Sequence, residues 1–475
     1  MSGDLQLFFG VAAVVAFGIS LVYWRQVVFA AMLLLIFEGA LRKWVFPEAQ
    51  AALYLAKDVL LIGAYAGFAM TKGFAAPVAR AQPFIVLLVL SAAYGAIAML
   101  NPALPSLTLA AVGWRSYFLY VPLVYIVPYL FDSLDELDRG LRRYALVALP
   151  VAVLGLVQFY SPIDSVLNVL VQHDPADRST TDAFGQFYNR ARVAGTFAYV
   201  SGFGAYLMAV AFLALALLAN RGWRLGGNVM LYVGLLVIVA AMFATGSRAP
   251  VYSLIAAIAA YSALTALAGD LSATAAMRAC LGAIALAVGI WAFLPEPASA
   301  FQYRAYAGGD SIARLLAPIV EPLVMAKEAG FFGFGIGAAH QSATFLTGSA
   351  YPWWTNGIVA EAETSRVMLE LGVPGFVLVF VFRIAIALYA FYAAFVLNTR
   401  PARSIALVLA LFLGFQVIGS VIFNPTMNVL YWFAVGMVFA LFRYEVRDVR
   451  VARHRGFMER IGTAAVAGSR RVQNR

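Results

Sequence analysis

The stretch SGFGAYLMAVAFLALALLAN at residues 201–220 carries no charged side chain, and the basic stretch RGWR at 221–224 follows it directly. An α-helix rises about 1.5 Å per residue, so about 20 apolar residues match the ~30 Å hydrocarbon core of a bilayer. A helix on the surface of a soluble protein would present polar residues along one face. The stretch therefore predicts a helix that crosses a membrane and ends at RGWR.

The same pattern continues on both sides of this stretch. Of the 475 residues, 63% are hydrophobic and 12% are charged, whereas soluble domains carry about 45–50% apolar and about 25% charged residues. The mean hydropathy of +0.85 excludes a soluble globular protein. We predict an all-α, polytopic transmembrane helix bundle with about 12–14 spans. The apolar runs are 5–23, 26–41, 51–70, 83–100, 112–131, 143–160, 197–219, 228–245, 250–268, 277–294, 372–397, 404–423 and 427–443.

The net charge of +10 is concentrated in an arginine-rich tail at 444–475, which follows the last apolar run. Basic residues favour the cytoplasmic side of a membrane, and they also attract anionic lipid. The pattern predicts a single transmembrane domain at 1–443 with a cytoplasmic tail, and it does not favour nucleic acid as a partner. Two long polar segments, 161–196 and 295–371, then lie on the outer side.

Seven arginines fall on the predicted outer side, where the distribution of basic residues would not place them. A guanidinium group bonds phosphate or carboxylate through two parallel N–H donors and stays charged. Several such groups around one cavity would suit a diphosphate, whereas each one alone could be an ion pair or a side chain reaching the membrane surface. The seven are Arg115, Arg190, Arg192, Arg248, Arg304, Arg314 and Arg366.

Charged residues also lie inside or at the ends of predicted spans. Lys57 and Asp58 lie within the third apolar run, and Glu38 lies near the end of the second. Charges inside a membrane are candidate functional residues by default. Glu38 and Arg42 have the spacing of an ion pair along one helix, so structural pairing is a sufficient explanation for them.

A glycine-rich segment, GFGIG at 333–337, lies in the second outer segment just before His340. No strand precedes it, so a nucleotide loop is excluded and a tight turn or close backbone approach is predicted. For His340 a structural or surface position is the default. Apolar residues at helical spacing in 312–324 predict an amphipathic helix on the outer membrane surface, with Pro318 and Pro322 kinking it.

We expect neither a metal nor a cofactor. The chain has one cysteine and three histidines, which is too few for a site built on thiolate or imidazole ligands. Asp174, Asp177 and Asp182 in the first outer segment match no recognised carboxylate spacing.

Three segments resemble the O-antigen ligase and polymerase superfamily of bacterial envelope polysaccharide enzymes. They are ATGSRAPVYSLIAAI at 244–258, ARLLAPIVEPLVMAKEAGFFGFGIG at 313–337 and SRVMLELGVPGFVLVF at 365–380, in the family's order within about 195–440. Ligases of the family typically carry a His-Asn pair nine residues before the Glu of the last motif. This chain has Glu361-Ala362 there, which favours a polymerase over a ligase.

The resemblance implies a GT-C-type glycosyltransferase in the bacterial inner membrane, with short interfacial helices in its large periplasmic loop. The donor would be a glycan on a polyprenyl diphosphate, and the acceptor a sugar hydroxyl. Membrane lipids and a chain-length regulator protein are the further candidate partners. A ligase that joins polysaccharide to a lipid, and a transporter or flippase of lipid-linked sugars, are the alternatives.

The resemblance also implies roles for residues of this chain. Arg248 in the TGSR turn is the first candidate for binding the diphosphate, because developing charge on the leaving phosphate needs preorganised cations. Glu363 or Glu361 is the candidate base for the acceptor hydroxyl, followed by His340. The other candidate diphosphate ligands are Arg192, Arg190, Arg304, Arg366, Arg115 and Arg314.

Replacing Arg248 tests these roles. We expect Arg248→Ala to abolish polymer formation while the protein still inserts into the membrane, because the substitution removes a cation and leaves every apolar run intact. Polymer length on gels, beside protein abundance in isolated membranes, measures both effects. Polymer of wild-type length in the variant would refute the assignment.

Overall fold

The structure is a computed structural model. In its described part, every secondary structure segment is a helix. It describes residues 3–73, 82–170, 190–220, 228–267, 288–289, 291–292, 294–307, 311–343, 346, 360–445 and 447. Within these residues, eight helical segments are long and apolar enough to cross a membrane, and three shorter apolar helices accompany them. The predicted multi-pass helical bundle is therefore confirmed.

Fifteen α-helices are labelled in chain order within the described part. They are α1 Gly3–Val22, α2 Trp24–Ala40, α3 Gln50–Lys72, α4 Gln82–Ala98, α5 Leu107–Phe118, α6 Leu123–Ile126, α7 Leu134–Tyr160, α8 Val200–Asn220, α9 Val229–Thr245, α10 Arg248–Leu267, α11 Pro295–Ala307, α12 Ser311–Ala329, α13 Glu363–Val396, α14 Arg400–Phe415 and α15 Pro425–Glu445.

Some helices begin or end at residues other than those of the predicted spans, and prolines or a kink explain the difference. The apolar run at 112–131 forms two helices, α5 and α6, because Pro122 and Pro128 lack the N–H that a continuous helix requires. Helix α13 begins at Glu363 rather than at 372, since it continues through a kink. The predicted run at 277–294 lies almost entirely outside the described residues.

Hydrogen bonds gather one set of helix ends, which we call the basic end. Asn220 donates to Asp138 (3.0 Å), Arg142 to Asn228 (3.5 Å), Asn398 to Glu445 (3.0 Å) and Arg447 to Asp132 (3.2 Å). These contacts join the starts of α7, α9 and α14 to the ends of α8, α13 and α15. Basic residues that the topology prediction assigns to one side of the membrane thus lie together.

The other set of helix ends meets at what we call the Tyr54 end. Lys43 Nζ donates to the carbonyl of Gly195 (2.7 Å), and Thr196 Oγ1 donates to the carbonyl of Ile36 (2.6 Å). These bonds fasten the end of α2 to the segment before α8. Asn424, just before α15, donates to the carbonyl of Ser201 on α8 (3.1 Å). Loop segments and helix ends therefore share one polar region at this end of the bundle.

The predicted glycine turn encloses a kink in α13. Gly333, Gly335 and Gly337 have φ values of 72°, 97° and 96°, which only glycine adopts readily. Gly372 in α13 has φ 61° and ψ −166°, and a Cβ there would lie 2.1 Å from the carbonyl oxygen of Phe331. The sequence prediction of a turn with close backbone approach is confirmed.

Helix α12 is the predicted amphipathic helix. It runs unbroken over Ser311–Ala329, so Pro318 and Pro322 lie inside one helix and do not divide it. One face packs on α13, where Glu321 accepts a hydrogen bond from Ser365 Oγ (2.7 Å). The other face is apolar and exposed, as expected for a helix that lies against lipid. Its exposed residues are Leu316, Ile319, Val320, Leu323 and Val324.

The kink at Gly372 leads to a prediction about the stability of the protein. Gly372→Ala should destabilise the protein strongly, because the backbone conformation alone costs a non-glycine residue about 1–3 kcal/mol and the Cβ clash adds to it. Thermal unfolding in detergent measures the loss. Gly234→Ala in α9 is the matched control, since a Cβ there meets nothing within 4 Å; equal melting temperatures for the two variants would contradict the prediction.

Candidate functional site

A short π-helical segment begins the candidate site. Helix α2 widens into a π turn over Leu41–Val45, and the N–H of Phe46 reaches back to the carbonyl of Leu41 (2.7 Å). Pro47 ends the helix because it has no N–H to donate. Such turns occur often at functional sites, and this one displays Arg42 and Lys43 at the Tyr54 end.

Three cations surround the ring of Tyr54. Helical spacing places Tyr54, Lys57 and Asp58 on one face of α3. The Lys57 ammonium lies 4.5 Å from the ring centroid, and the guanidinium carbons of Arg115 and Arg42 lie 4.7 and 5.2 Å from it. Cations at such distances are attracted to the electron-rich ring, so Tyr54 holds charges from α2, α3 and α5 around one centre.

Two carboxylates are shared among these cations. Glu38 accepts from Lys57 (2.6 Å) and from Arg42 (3.1 Å). Asp58 accepts from Arg115 Nε (2.7 Å) and from the hydroxyl of Tyr120 (2.7 Å). We call Glu38, Arg42, Tyr54, Lys57, Asp58 and Arg115 the Tyr54 cluster. Structural pairing of Glu38, Lys57 and Asp58 is confirmed, and the pairing extends across three helices.

The Tyr54 cluster has more positive than negative charge. Its three cations, Arg42, Lys57 and Arg115, exceed its two carboxylates by one charge. The Nε atom of Arg42 is buried and has no hydrogen-bond partner. A buried donor without a partner costs free energy. A ligand oxygen that accepts a hydrogen bond from this atom would therefore be stabilised.

His340 connects the cluster to Arg366. Burial, and after it the positive charges of Arg115 and Arg366, together lower the pKa of His340 from 6.5 to about 4. Arg366 is half-buried, its Nε donates to the carbonyl of Ala360 (3.1 Å), and its guanidinium lies over the ring of Phe423. The positive charges of two predicted site residues, Arg115 and Arg366, therefore both act on a third, His340.

The hydrogen bond at His340 identifies its tautomer. Its Nδ1 atom accepts from the N–H of Ser342 (3.1 Å), and the low pKa keeps the ring neutral at pH 7. A neutral imidazole that accepts at Nδ1 carries its proton on Nε2. His340 is therefore a hydrogen-bond donor, which disfavours the predicted role as a base and favours contact with an anionic or hydroxyl oxygen.

Glu370 fixes the position of the glycine turn and of His340. The carboxylate is fully buried, and it accepts from the hydroxyl of Tyr117 (2.8 Å) and from the N–H of Ala339 (2.9 Å). The N–H of Gly335 also donates to the backbone carbonyl of Glu370 (2.9 Å). The glutamate of the third motif thus holds the second motif in place.

The first motif, the TGSR turn, is held by a predicted site residue. Arg192 donates from Nε to the carbonyl of Thr245 (3.0 Å) and from Nη2 to Ser247 Oγ (3.3 Å). Gly246 takes the left-handed conformation with φ 64° and ends α9. Arg248 then begins α10 and is half-buried. Arg192 consequently positions the turn, while Arg248 lies at its exit.

Segments near the Tyr54 end link that turn to the cluster. Tyr199 directly precedes α8; burial raises its pKa, and the nearby Arg42 opposes the rise. Gly204, five residues further along the chain, faces the TGSR turn. A Cβ at this position would lie 3.7 Å from the side chain of Ser247. The start of α8 therefore lies between the Tyr54 cluster and the TGSR turn.

The remaining predicted residues have other surroundings. Glu363 binds Arg383 and accepts from the N–H of Phe423 (3.0 Å), so both of its oxygens are engaged in the bundle. Arg190 pairs with Glu296 of α11 (2.7 Å). Glu361 is exposed and Arg304 is half-buried. The side chain of Arg314 lies outside the described part, as do His173, Asp174, Asp177, Arg178 and Asp182.

Sequence analysis did not identify Arg42, Lys57 and Tyr54 as one site. Glu38 and Arg42 explain each other locally, whereas the Lys57–Glu38 contact spans 19 residues and the Arg115–Asp58 contact spans 57. A usable signal was present, since Tyr54, Lys57 and Asp58 share a helix face. No group of three or more residues suited to a metal occurs among the residues that the structure describes.

A pH prediction follows from His340. The unfolded chain protonates its histidine below about pH 6.5 and the native protein only near pH 4, so the unfolded state binds more protons between these values and native stability falls as the pH is lowered. The lost contribution is about 3 kcal/mol. His340→Gln should lower the slope of melting temperature against pH in this window, measured in detergent. Parallel curves for both proteins would count against a buried neutral His340.

The comparisons add no relative. No protein-family model, no curated protein and no solved structure matches this chain. The resemblance to the O-antigen ligase and polymerase superfamily thus depends on the three motifs alone. In the structure Glu370 of the third motif holds the glycine turn of the second, and Arg192 holds the TGSR turn of the first.

Proposed function

We propose that this protein polymerises lipid-linked oligosaccharide units at the outer face of a bacterial inner membrane. The donor is a glycan on a polyprenyl diphosphate, and the acceptor is a hydroxyl of a second glycan. The observation that carries the proposal is the gathering of cations from three helices around Tyr54, near enough to His340 for the charges of Arg115 and Arg366 to lower its pKa. Arg366 belongs to the third motif, and His340 follows the second motif by three residues.

Charge supports a diphosphate as the ligand. The Tyr54 cluster has one positive charge in excess, and Arg366 adds a second. A diphosphate diester carries two negative charges, which these two would balance. Arg42 Nε and His340 Nε2 are donors for its oxygens. A phosphate held by several preorganised donors is stabilised most where water is excluded.

The arrangement of basic residues supports the orientation. The basic end gathers the starts and ends of helices that carry arginine-rich loops, and such loops favour the cytoplasm. The Tyr54 end then faces the periplasm. The proposed topology has about thirteen spans, a number that includes the run at 277–294, in a GT-C-like bundle. Its polar segment at 295–371 lies on the periplasmic side.

The proposed reaction requires no metal, because arginines can neutralise the leaving group. The acceptor oxygen forms a bond to the anomeric carbon of the donor glycan, and the bond from that carbon to the phosphate oxygen breaks. The electron pair of the broken bond goes to the diphosphate, which Arg366, Arg115 and His340 stabilise. The hydroxyl proton passes to Glu361, the exposed member of the two predicted carboxylate bases.

Replacing Arg366 tests the proposed site with little damage to the fold. Among the described contacts, Arg366 has no carboxylate partner that the replacement would leave uncompensated. Arg366→Ala should lower the rate of polymer formation from purified lipid-linked units by about 10²-fold or more. Arg366→Lys should restore part of the activity, because it keeps the charge and loses the planar fork.

Arg25→Ala is the matched control. Arg25 stacks on Trp24 at 5.3 Å much as Arg366 stacks on Phe423 at 5.5 Å, but it lies at the basic end. The proposal expects polymer ladders from wild type and from the Arg25 variant. A single transfer to a lipid core would indicate the ligase, movement of substrate without transfer would indicate a transporter, and wild-type ladders from Arg366→Ala would overturn the proposed site.

A further inference from the structure

A large cavity lies at the basic end, on the side of the bundle away from the Tyr54 cluster. Its volume is about 630 Å³, within the range of about 300–1,000 Å³ that is typical of ligand pockets. Residues of α2, α7, α8, α14 and α15 line it. None of the residues assigned to the proposed reaction is among them.

The cavity is apolar inside and opens sideways. Phe212, Leu409 and Met437 are typical of the lining. Phe29 and Leu33 on α2 also line it, and they are 38% and 43% exposed. In a bilayer those exposed side chains face hydrocarbon. A hydrocarbon chain can therefore enter from the membrane without crossing water.

The mouth of the cavity is basic. Arg139 and Arg143 stand one turn apart on α7 and both line the cavity, although like charges at this spacing repel each other. In the part of the chain that the structure describes, neither has a carboxylate partner, whereas the intervening Arg142 pairs with Asp138 (3.6 Å). Glu136 also lines the cavity, but its carboxylate accepts from a backbone N–H (2.7 Å). The three side chains leave one net positive charge at the mouth, which favours an anion at this position.

We infer that this cavity binds one anionic phospholipid, with an acyl chain inside and its phosphate on Arg139 and Arg143. A water-soluble anion would leave the apolar volume unfilled, and a lipid with no net charge would leave the positive charge of the mouth uncompensated. Basic pockets between membrane helices on the cytoplasmic side favour anionic headgroups. The phospholipid fastens α7 to α2 and α14 at the basic end.

The inference stands apart from the proposed reaction, because the test measures lipid retention and needs no turnover. Purified protein is exchanged into detergent with equal amounts of phosphatidylglycerol and phosphatidylethanolamine of the same acyl chains. Native mass spectrometry then counts the lipid that stays bound. Wild type is expected to retain one phosphatidylglycerol molecule in preference to phosphatidylethanolamine.

Two variants separate the headgroup from the cavity. The double substitution Arg139→Gln with Arg143→Gln should reduce phosphatidylglycerol retention at least tenfold and remove the preference. Ala209→Trp, which fills part of the cavity from α8, should reduce retention of both lipids. The control is Arg25→Gln with Arg447→Gln, which removes two basic-end arginines that do not line the cavity.

The results decide as follows. Loss of preference in the Arg139/Arg143 variant, with retention unchanged in the control, supports the site. Equal retention of both lipids by wild type overturns it, as does unchanged phosphatidylglycerol retention in the Arg139/Arg143 variant. If both double variants lose retention equally, the attraction belongs to the whole basic surface and the assigned pocket is wrong. Melting temperatures of all variants show that each protein is folded.

Discussion

Burying a charge in a membrane bundle is costly unless an opposite charge lies beside it, and this constraint shapes the Tyr54 end. Lys57 is 2% exposed and Asp58 is 4% exposed, so neither can be solvated by bulk water. Each is compensated by a residue from another helix, Glu38 on α2 and Arg115 on α5. Removing one partner of such a pair typically costs about 3–5 kcal/mol. The helices are therefore held in one arrangement, and the same pairs fix the positions of the cations.

A second constraint acts on the loop that faces these cations. The glycine turn approaches α13 very closely. A Cβ on Gly333 would clash with the backbone of α13, and a Cβ on Gly372 would clash with the backbone of the turn. Glu370 completes the contact by accepting from Tyr117 and from the turn itself. His340 thereby faces Arg115 and Arg366 without any bond of its own to a carboxylate in the described contacts. Its position depends on backbone geometry and on a neighbouring helix.

The sequence predicted the parts of the structure that depend on local pattern. Apolar runs located the spans, and glycine spacing located the turn, because hydrophobicity and positive φ are properties of short segments. Helix bounds were less accurate where proline or glycine acts through context, as at Gly372, which bends α13 without ending it. For the candidate site, the sequence pointed to single residues only. Arg115, Arg366 and His340 were selected one by one, but their meeting depends on contacts between residues more than 200 positions apart, and one sequence does not reveal such contacts.

The prediction was weakest where a local explanation was already complete. Glu38 and Arg42 satisfy each other at helical spacing, so nothing in the sequence showed that Lys57 competes for the same carboxylate. The π turn at Leu41–Val45 is equally hidden, since its residues would also suit an ordinary helix. Glu363 illustrates the reverse case. It was selected for chemistry, yet its partner Arg383 lies twenty residues along the same helix, across the kink.

The exposed apolar face of α12 has a consequence for how the protein responds to its lipid environment. A helix with such a face is expected to lie at the boundary between headgroups and acyl chains, and the bond from Ser365 to Glu321 ties this one to the first turn of α13. Arg366 is the next residue, so its depth relative to the headgroups follows the height at which α12 settles. Bilayer thickness would therefore act on this region: a change in acyl-chain length would raise or lower the guanidinium group relative to the headgroups.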